Sequence, residues 1–544
     1  MAWIRRVRTA SGATAVQIAE WCGGRRRIVR HVGSARDDAQ LALLMEQAQR
    51  LLEDERQGVL DLGLTPMTRK VAVLPSPAGG LFPLSGAPQP RQAVARPRVL
   101  KTSSAVLYDA VAGVYSSLGF DALADPVFRD LVIARVVEPT SLSDVDRVLA
   151  ELGRVSVSLS TRKRTLRRCI SGQYRDQLAK LCFTRAATHG DISLIMYDVT
   201  TLYFEADNED SLRKVGYSKE RRVDPQIVVG LLVDRAGFPV EIGCFEGSKA
   251  EKLTLVPMIE QFQARHQIEH VVVVADAGML SLSNLTALDA AGHKFIVGSR
   301  QTKAPNDLES HFRWHGDAFT DGQLIDTLTP KKGRNRDNDP LRRAEPIWDP
   351  DAHPRSWRAV WAFSTKRAVR DRKTLTAQEN RARAVVAGEK TAHKTRFVKT
   401  AKSGLALDEA ALARARQLAG LKGYVTNIPA TQLSASEVIT SYHDLWRVEQ
   451  SFRMSKSDLA ARPIFARTRD AIEAHLTIVF TALAVSRTIQ NRTGHSLRRV
   501  LRALRPLRSA DIQINGATQS FQPALGPAET KILNALAAEP ELRH

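Results

Sequence analysis

Cysteine is scarce in this chain of 544 residues: Cys22, Cys169, Cys182 and Cys244 are the four present, and no two form a CxxC pair. That scatter fits neither a disulfide framework nor a zinc site, and buried, reduced thiols are expected. No uninterrupted apolar run approaches the roughly 18 residues of a spanning helix, and no signal-peptide pattern opens the chain. A soluble, cytoplasmic protein without a membrane partner is expected. The sequence also lacks GxxxxGK[ST], GxGxxG, GxSxG and HExxH. An ATPase, a dehydrogenase, a serine hydrolase or a zinc protease would therefore rest on no motif. Acidic residues are outnumbered, 58 against 79 Lys and Arg, which leaves a formal charge of +21. Such an excess attracts polyanions, and nucleic acid is the leading partner.

The chain is long enough for several domains. Short strand-like runs around Ser11-Gly12 and Gly23-Gly24, followed by a helical run, suggest a small α+β module at 1–60. A linker is expected at 61–99, where proline, glycine and alanine crowd residues 75–98 and leave no core to bury. Residues 100–190 carry helical spacing and end in a basic stretch, making a helical region suited to DNA. A helix bearing Arg162, Lys163, Arg164, Arg167 and Arg168 could lie against phosphates; a solvated basic face is the alternative.

The clearest pattern lies at 191–300. SLIMYDVTTLYFE, PQIVVGLLVD and PVEIGCFEG read as strands, the last two joined by the turn Arg235-Ala236-Gly237. A helix, the strand HVVVVAD, a second helix and the strand HKFIVGS follow. Three antiparallel strands, then helix, strand, helix and strand is the chain order of an RNase H-like core, an α/β fold on a mixed sheet. Residues 301–420 are too long for a loop and read as an inserted subdomain. The core resumes at 421–490 with the strand GYVTNI and a long helix opened by the capping box Ser434-x-x-Glu437 and running through Met454 or beyond. A basic helical tail, 491–544, closes the chain with Arg498, Arg499, Arg502, Arg505 and Arg508 in helical register.

Three carboxylates stand out. Asp198 follows an apolar run inside the first strand, where an acid is costly unless paired or bound to a cation; a strand-edge Asp facing water is the alternative. Asp276 ends four valines and an alanine, at the carboxyl end of a buried strand where α/β sheets place their sites, or caps the next turn. Glu449 lies seven residues after Tyr442 and seven before Lys456, so one helix stripe would present a phenol, a carboxylate and an ammonium. Its alternative is an i,i+4 pair with Arg453, although Leu445, Trp446 and Phe452 make the helix strongly apolar. Two sheet carboxylates and one from a helix suit Mg²⁺, and two such ions would support in-line phosphoryl transfer.

These residues resemble the DDE transposases of bacterial insertion sequences, in the branch marked Tyr-x2-Arg-x3-Glu-x6-Lys. Tyr442, Glu449 and Lys456 match three of its positions; Leu445 stands at the arginine position, and Arg447 and Arg453 lie at other angles. The likeness covers roughly 190–490, through YDVTTLYFE, VVVVADAGMLS and LWRVEQSFRMSKSDLAARPIFARTRDAIEAH. It implies a transposase that binds terminal inverted repeats, cuts the element ends and joins 3′-hydroxyls to target DNA. It further implies two Mg²⁺ ions, with Mn²⁺ able to substitute, on Asp198, Asp276 and Glu449, a homodimer in the DNA complex, and action at the bacterial nucleoid. Tyr442, Lys456, Arg447 and Arg453 would meet DNA, and the insertion would be β-rich and handle the cut end, with Trp357 and Trp361 stacking on an unpaired base or serving as core. The competing readings are an inactive or domesticated DNA-binding protein and an RNase H-like nuclease without strand transfer.

Overall fold

The computed structural model describes residues 2–8, 14–22, 25–35, 40–41, 44–45, 47–48 and 97–538, apart from 190–193, 206–207, 218–222, 270, 280, 334–340, 392–394, 402–403 and 515–516. The chain divides into two compact units, Met1–Arg91 and Gln92–His544.

In the first unit, Ala2–Arg8, Thr14–Cys22 and Arg25–Ala35 form an antiparallel meander. On its central strand Val16 and Ile18 are buried on one face and Ala15 and Ala19 on the other. Leu44 covers Gly33, where a Cβ would lie 2.7 Å from Leu44 Cδ2. The two expected turns and most of the expected linker fall outside the described residues.

The second unit is mixed α/β around one eight-stranded sheet. Its strands are β1 (Leu194–Tyr203), β2 (Gln226–Val233), β3 (Pro239–Glu246), β4 (Val272–Ala275), β5 (Lys294–Ser299), β6 (Leu324–Pro330), β7 (Ser356–Phe363) and β8 (Leu421–Thr426). Their order is β6-β7-β8-β5-β4-β1-β2-β3. β1, β2 and β3 pair antiparallel, whereas β4 lies parallel to both β1 and β5. The tight turn between β2 and β3 is held by Asp234, whose carboxylate accepts from Phe238 N at 2.8 Å, and by Gly237 at φ 81°. All eight residues of β2 are buried, as its unbroken apolar run requires.

Among the helices that flank the sheet are α1 (Leu255–His266), α2 (Leu282–Ala290), α3 (Ala435–His443), α4 (Trp446–Ser457) and α5 (Arg469–Thr493). The expected capping box is present, with Ser434 and Glu437 satisfying each other's backbone N–H groups. The single long helix is not. The chain tightens at Asp444 and Leu445, where Leu445 N bonds Tyr442 O and Arg447 N bonds Asp444 O, so α3 and α4 are separate helices. Tyr442 therefore leaves the stripe that Glu449 and Lys456 share.

Residues 301–420 do not form a β-rich body of their own. β6 and β7 extend the main sheet, and among the remaining described residues there is one two-stranded hairpin, Val398–Ala401 with Gly404–Leu407, beside the helix Thr365–Val386 and shorter ones. The C-terminal segment is likewise no helical tail. The helix Leu497–Leu504 leads into Ser509–Ile514, which pairs with Arg98–Ser103 and Ala517–Phe521, and the helix Pro527–Ala537 packs on Ala105–Ser117. Arg505 bonds Glu138 and Glu151, tying this segment to the helices of 105–189. Those helices gather on α5. The apolar window of α5 meets the length and hydropathy of a spanning helix, but 89% of it is buried inside the protein, which makes it a core helix. Threonine, serine and alanine dilute the apolar run, so it does not stand out by eye. Cys169, Cys182 and Cys244 are free thiols, and burial pushes Cys169 and Cys244 up to about 12.

Candidate active site

Strand register brings the first two carboxylates together. Tyr197 on β1 pairs with Ala275 on β4, so Asp198 and Asp276 follow on adjacent parallel chains. Tyr197 turns to the α1 face, donating to Thr254 Oγ1 at 2.8 Å, and alternation sends Asp198 to the opposite face. That face is covered by α4. Phe452, Ser455 and Lys456 of α4 border a small cavity with Thr200, Leu202 and Val229 of the sheet. Ser451 anchors the helix by donating to Gly237 O at 3.1 Å.

Asp276 leaves β4 into a short turn in which its carboxylate accepts from Gly278 N. A Cβ on Gly278 would lie 2.8 Å from Asp276 Oδ1 and 3.6 Å from Glu251 Oε2, so this glycine lets the chain pass between two acids. Glu251, on the connection before α1, is a carboxylate that sequence reasoning missed. It sits outside the strand-end pattern that draws attention to Asp276.

Tyr442 is the hub. Its phenol is buried and lies over Gly298 of β5, where a Cβ would meet the hydroxyl at 2.5 Å. Burial raises its pKa most, and the charges of Asp276, Glu449 and Asp198 all raise it further. Glu449 itself is exposed, in the first turn of α4, and Trp446 beside it is half-exposed. Lys422 of β8 completes the cluster with its ammonium 4.4 Å from the Tyr442 ring centroid and 5.4 Å from that of Tyr424. Nothing in the string LKGYVT singles this lysine out; only the fold brings it here.

Among the described residues no three His, Cys, Asp or Glu side chains form a closed ligand cluster. The fold places Asp198 and Asp276 side by side with α4 over the sheet, but the side chains as they stand do not converge on one point. The donor chemistry, all carboxylate oxygen, fits a hard divalent cation.

The other expected DNA-contacting residues divide. Lys456 is half-buried at the cavity rim, and Arg453 is exposed. Arg447 is engaged elsewhere, paired with Asp444 at 3.4 Å and stacked 5.2 Å over Trp446. Lys163, Arg164 and Arg167 are exposed on the helix Leu159–Ser171. Arg162 on that helix is 2% exposed and paired with Asp146 at 2.8 Å, so it cannot reach a phosphate. Arg168 is drawn to the buried Asp125, also at 2.8 Å. Trp357 and Trp361 are core residues of β7 and cannot stack on a base. Their indole N–H groups donate to Asp289 at 3.0 Å and Asp307 at 3.2 Å.

Residues 189–485 match the family described as the transposase DDE domain. Among solved structures, the chain is similar to a piggyBac transposase synaptic complex with hairpin DNA, at 9% identity, over 81% of this chain and 74% of that one, with a TM-score of 0.33. No curated protein matches the chain.

Proposed function

We propose that this chain, which belongs to the transposase DDE domain family over residues 189–485, is the transposase of a bacterial insertion sequence in the Tyr-Arg-Glu-Lys branch. It binds the terminal inverted repeats of its element, cuts the ends and joins them to target DNA, as a homodimer on DNA in the cytoplasm. The observation that carries this reading is the register that sets Asp198 of β1 and Asp276, just past β4, side by side on a sheet against which α4, the helix of Glu449, packs. The strand order β3-β2-β1-β4-β5, with only β2 reversed among them, supports an RNase H-like core.

The family generally uses divalent metal ions, and Asp198, Asp276 and Glu449 are the residues that would hold two Mg²⁺ or Mn²⁺. When bound, such ions activate the attacking hydroxyl and stabilise the leaving oxygen of an in-line displacement. The chain's own residues hold and align the strand. Tyr442 fixes α3 against β5 and faces the carboxylates. Lys456, on the α4 stripe of Glu449, offers a point charge to a phosphate. Exposed Lys163, Arg164, Arg167 and Arg453 supply contacts along the DNA. No side-chain nucleophile is needed.

The test uses the full-length protein and a duplex made from the DNA bordering its reading frame. Asp198→Ala, Asp276→Ala and Glu449→Ala should each abolish Mg²⁺-dependent cleavage while gel shift shows near-normal binding. Full cleavage by any one of them removes that residue from the site.

A further inference from the structure

Beside the three carboxylates lies a pair of cations that nothing in the transposase reading uses. Lys422 enters on β8, paired with Ala362 of β7. The helix Thr365–Val386 starts against the same strand, because Ser364 N donates to Gly420 O at 3.0 Å and a Cβ on Gly420 would lie 2.8 Å from Ala368 Cβ. Arg367, in the first turn of that helix, is thereby held next to Lys422. Both side chains are half-buried. Among the described residues neither has a carboxylate at ion-pair distance.

Two like charges gathered out of water without an acidic partner raise the energy of the free protein. Burial and, next, Arg367 push the Lys422 pKa down, with Glu449 and Asp276 opposing more weakly. Burial raises the neighbouring Tyr424 phenol to about 12 with Arg367 opposing, and burial, Lys422 and then Arg367 push the His443 imidazole down, so the positive field of the pair reaches both. An anion seated between the two cations relieves both strains. The faces of Tyr424 and Tyr442 hold the Lys422 ammonium, so little side-chain freedom is lost when that anion arrives.

We propose that Lys422 and Arg367 form a phosphate clamp that grips the backbone of the DNA strand as it enters the carboxylate site. The inference rests on the transposase reading and names its substrate-gripping residues. Lys422 supplies the inner point charge and Arg367 the planar fork that can span two phosphate oxygens. The clamp lies on β8 and on the segment preceding it, which gives residues 301–420 a part in handling DNA without the two buried tryptophans.

The experiment measures binding of the full-length protein to a fluorescent duplex made from the DNA bordering the reading frame, across a salt series without metal, and then cleavage in Mg²⁺. Lys422→Met and Arg367→Met each keep a long apolar side chain in place of the half-buried one and remove the charge. Each should weaken binding by about fivefold to tenfold and make the slope of log K against log salt shallower by about 0.9, the effect of one lost phosphate contact. Lys422→Arg should recover the slope. If Lys422→Met does not fold, Arg367→Met carries the test alone. Wild-type slope and affinity in folded Lys422→Met and Arg367→Met overturn the clamp while leaving the transposase reading intact. Wild-type protein that binds and cuts nothing sinks the transposase reading, and the clamp with it.

Discussion

The Tyr442 hydroxyl closes so tightly on Gly298 that a single methyl group on that glycine would stand 2.5 Å from it. This contact sets the distance between α3 and β5, and through α3 the place of the phenol among the carboxylates. Gly298→Ala should cost about 1–3 kcal/mol, the range for overpacking a filled site, and slow end cleavage. Adding Tyr442→Phe removes the oxygen and should recover at least about 0.5 kcal/mol of the loss. Urea unfolding of the two single variants and the double reads the coupling. Strictly additive losses would show that the tyrosine is not held by this strand.

On the helix Leu159–Ser171, Arg162 and its neighbours Arg164 and Arg167 look alike in sequence but face opposite ways. Arg162→Ala should lower stability by about 2 kcal/mol, the range for a lost charge-assisted hydrogen bond, without changing the salt dependence of DNA binding. Arg164→Ala and Arg167→Ala should leave the melting temperature alone and reduce the salt slope by about one each. A reduced slope in Arg162→Ala at unchanged stability would mean the side chain swings out to meet DNA.

How far the sequence reveals the protein depends on the range of the forces involved. The strands from β1 to β5 and their connecting helices were legible because each is written locally, as an apolar run ended by a turn such as Arg235-Ala236-Gly237, or as a capping box such as Ser434 with Glu437. The same runs marked Asp198 and Asp276. Long-range pairing was not legible. β6 and β7 join the main sheet through partners far along the chain, and Arg358 sits fully buried in β7 because Asp326 and the carbonyls of Ile428 and Leu433 satisfy its guanidinium. Periodicity also could not reveal the two-residue tightening at Asp444 and Leu445, which changes the angle between Tyr442 and Glu449 without changing their spacing. Lys422 and Glu251 join the site only through tertiary placement.

Asp307 gives a pH signature. Burial raises its carboxyl from 3.8 to about 7, with Trp361 and Thr329 opposing. The folded state therefore holds the proton more tightly than the unfolded chain. Its stabilising contribution is complete below about pH 4 and is lost as pH rises through 7, by up to about 1.4 kcal/mol per pH unit. Asp307→Asn keeps an acceptor for the Trp361 indole and cannot ionise. Its stability relative to wild type should climb between pH 4 and 7 and level off above. A constant difference across that window, in denaturant titrations at matched pH, would show that the carboxyl titrates normally.

Leu445 occupies the position at which the Tyr-Arg-Glu-Lys signature carries its arginine, and the structure gives it a different job. It is 5% exposed, within the main core at the junction of α3 and α4, in the same cluster as Val438 and Val448. A guanidinium introduced there would have to shed water against apolar neighbours or force the junction apart. Leu445→Arg should therefore lose about 3 kcal/mol of stability, as expected for a charge introduced into a core, and cut its DNA ends more slowly than wild type. Thermal melting and end cleavage, measured on the same preparation, decide between a core residue and a vacant arginine position. Should Leu445→Arg melt with wild type and cut faster, the junction opens at little cost and the arginine reaches the carboxylates. The side-chain cluster around Tyr442 would then have to be redrawn with position 445 inside it.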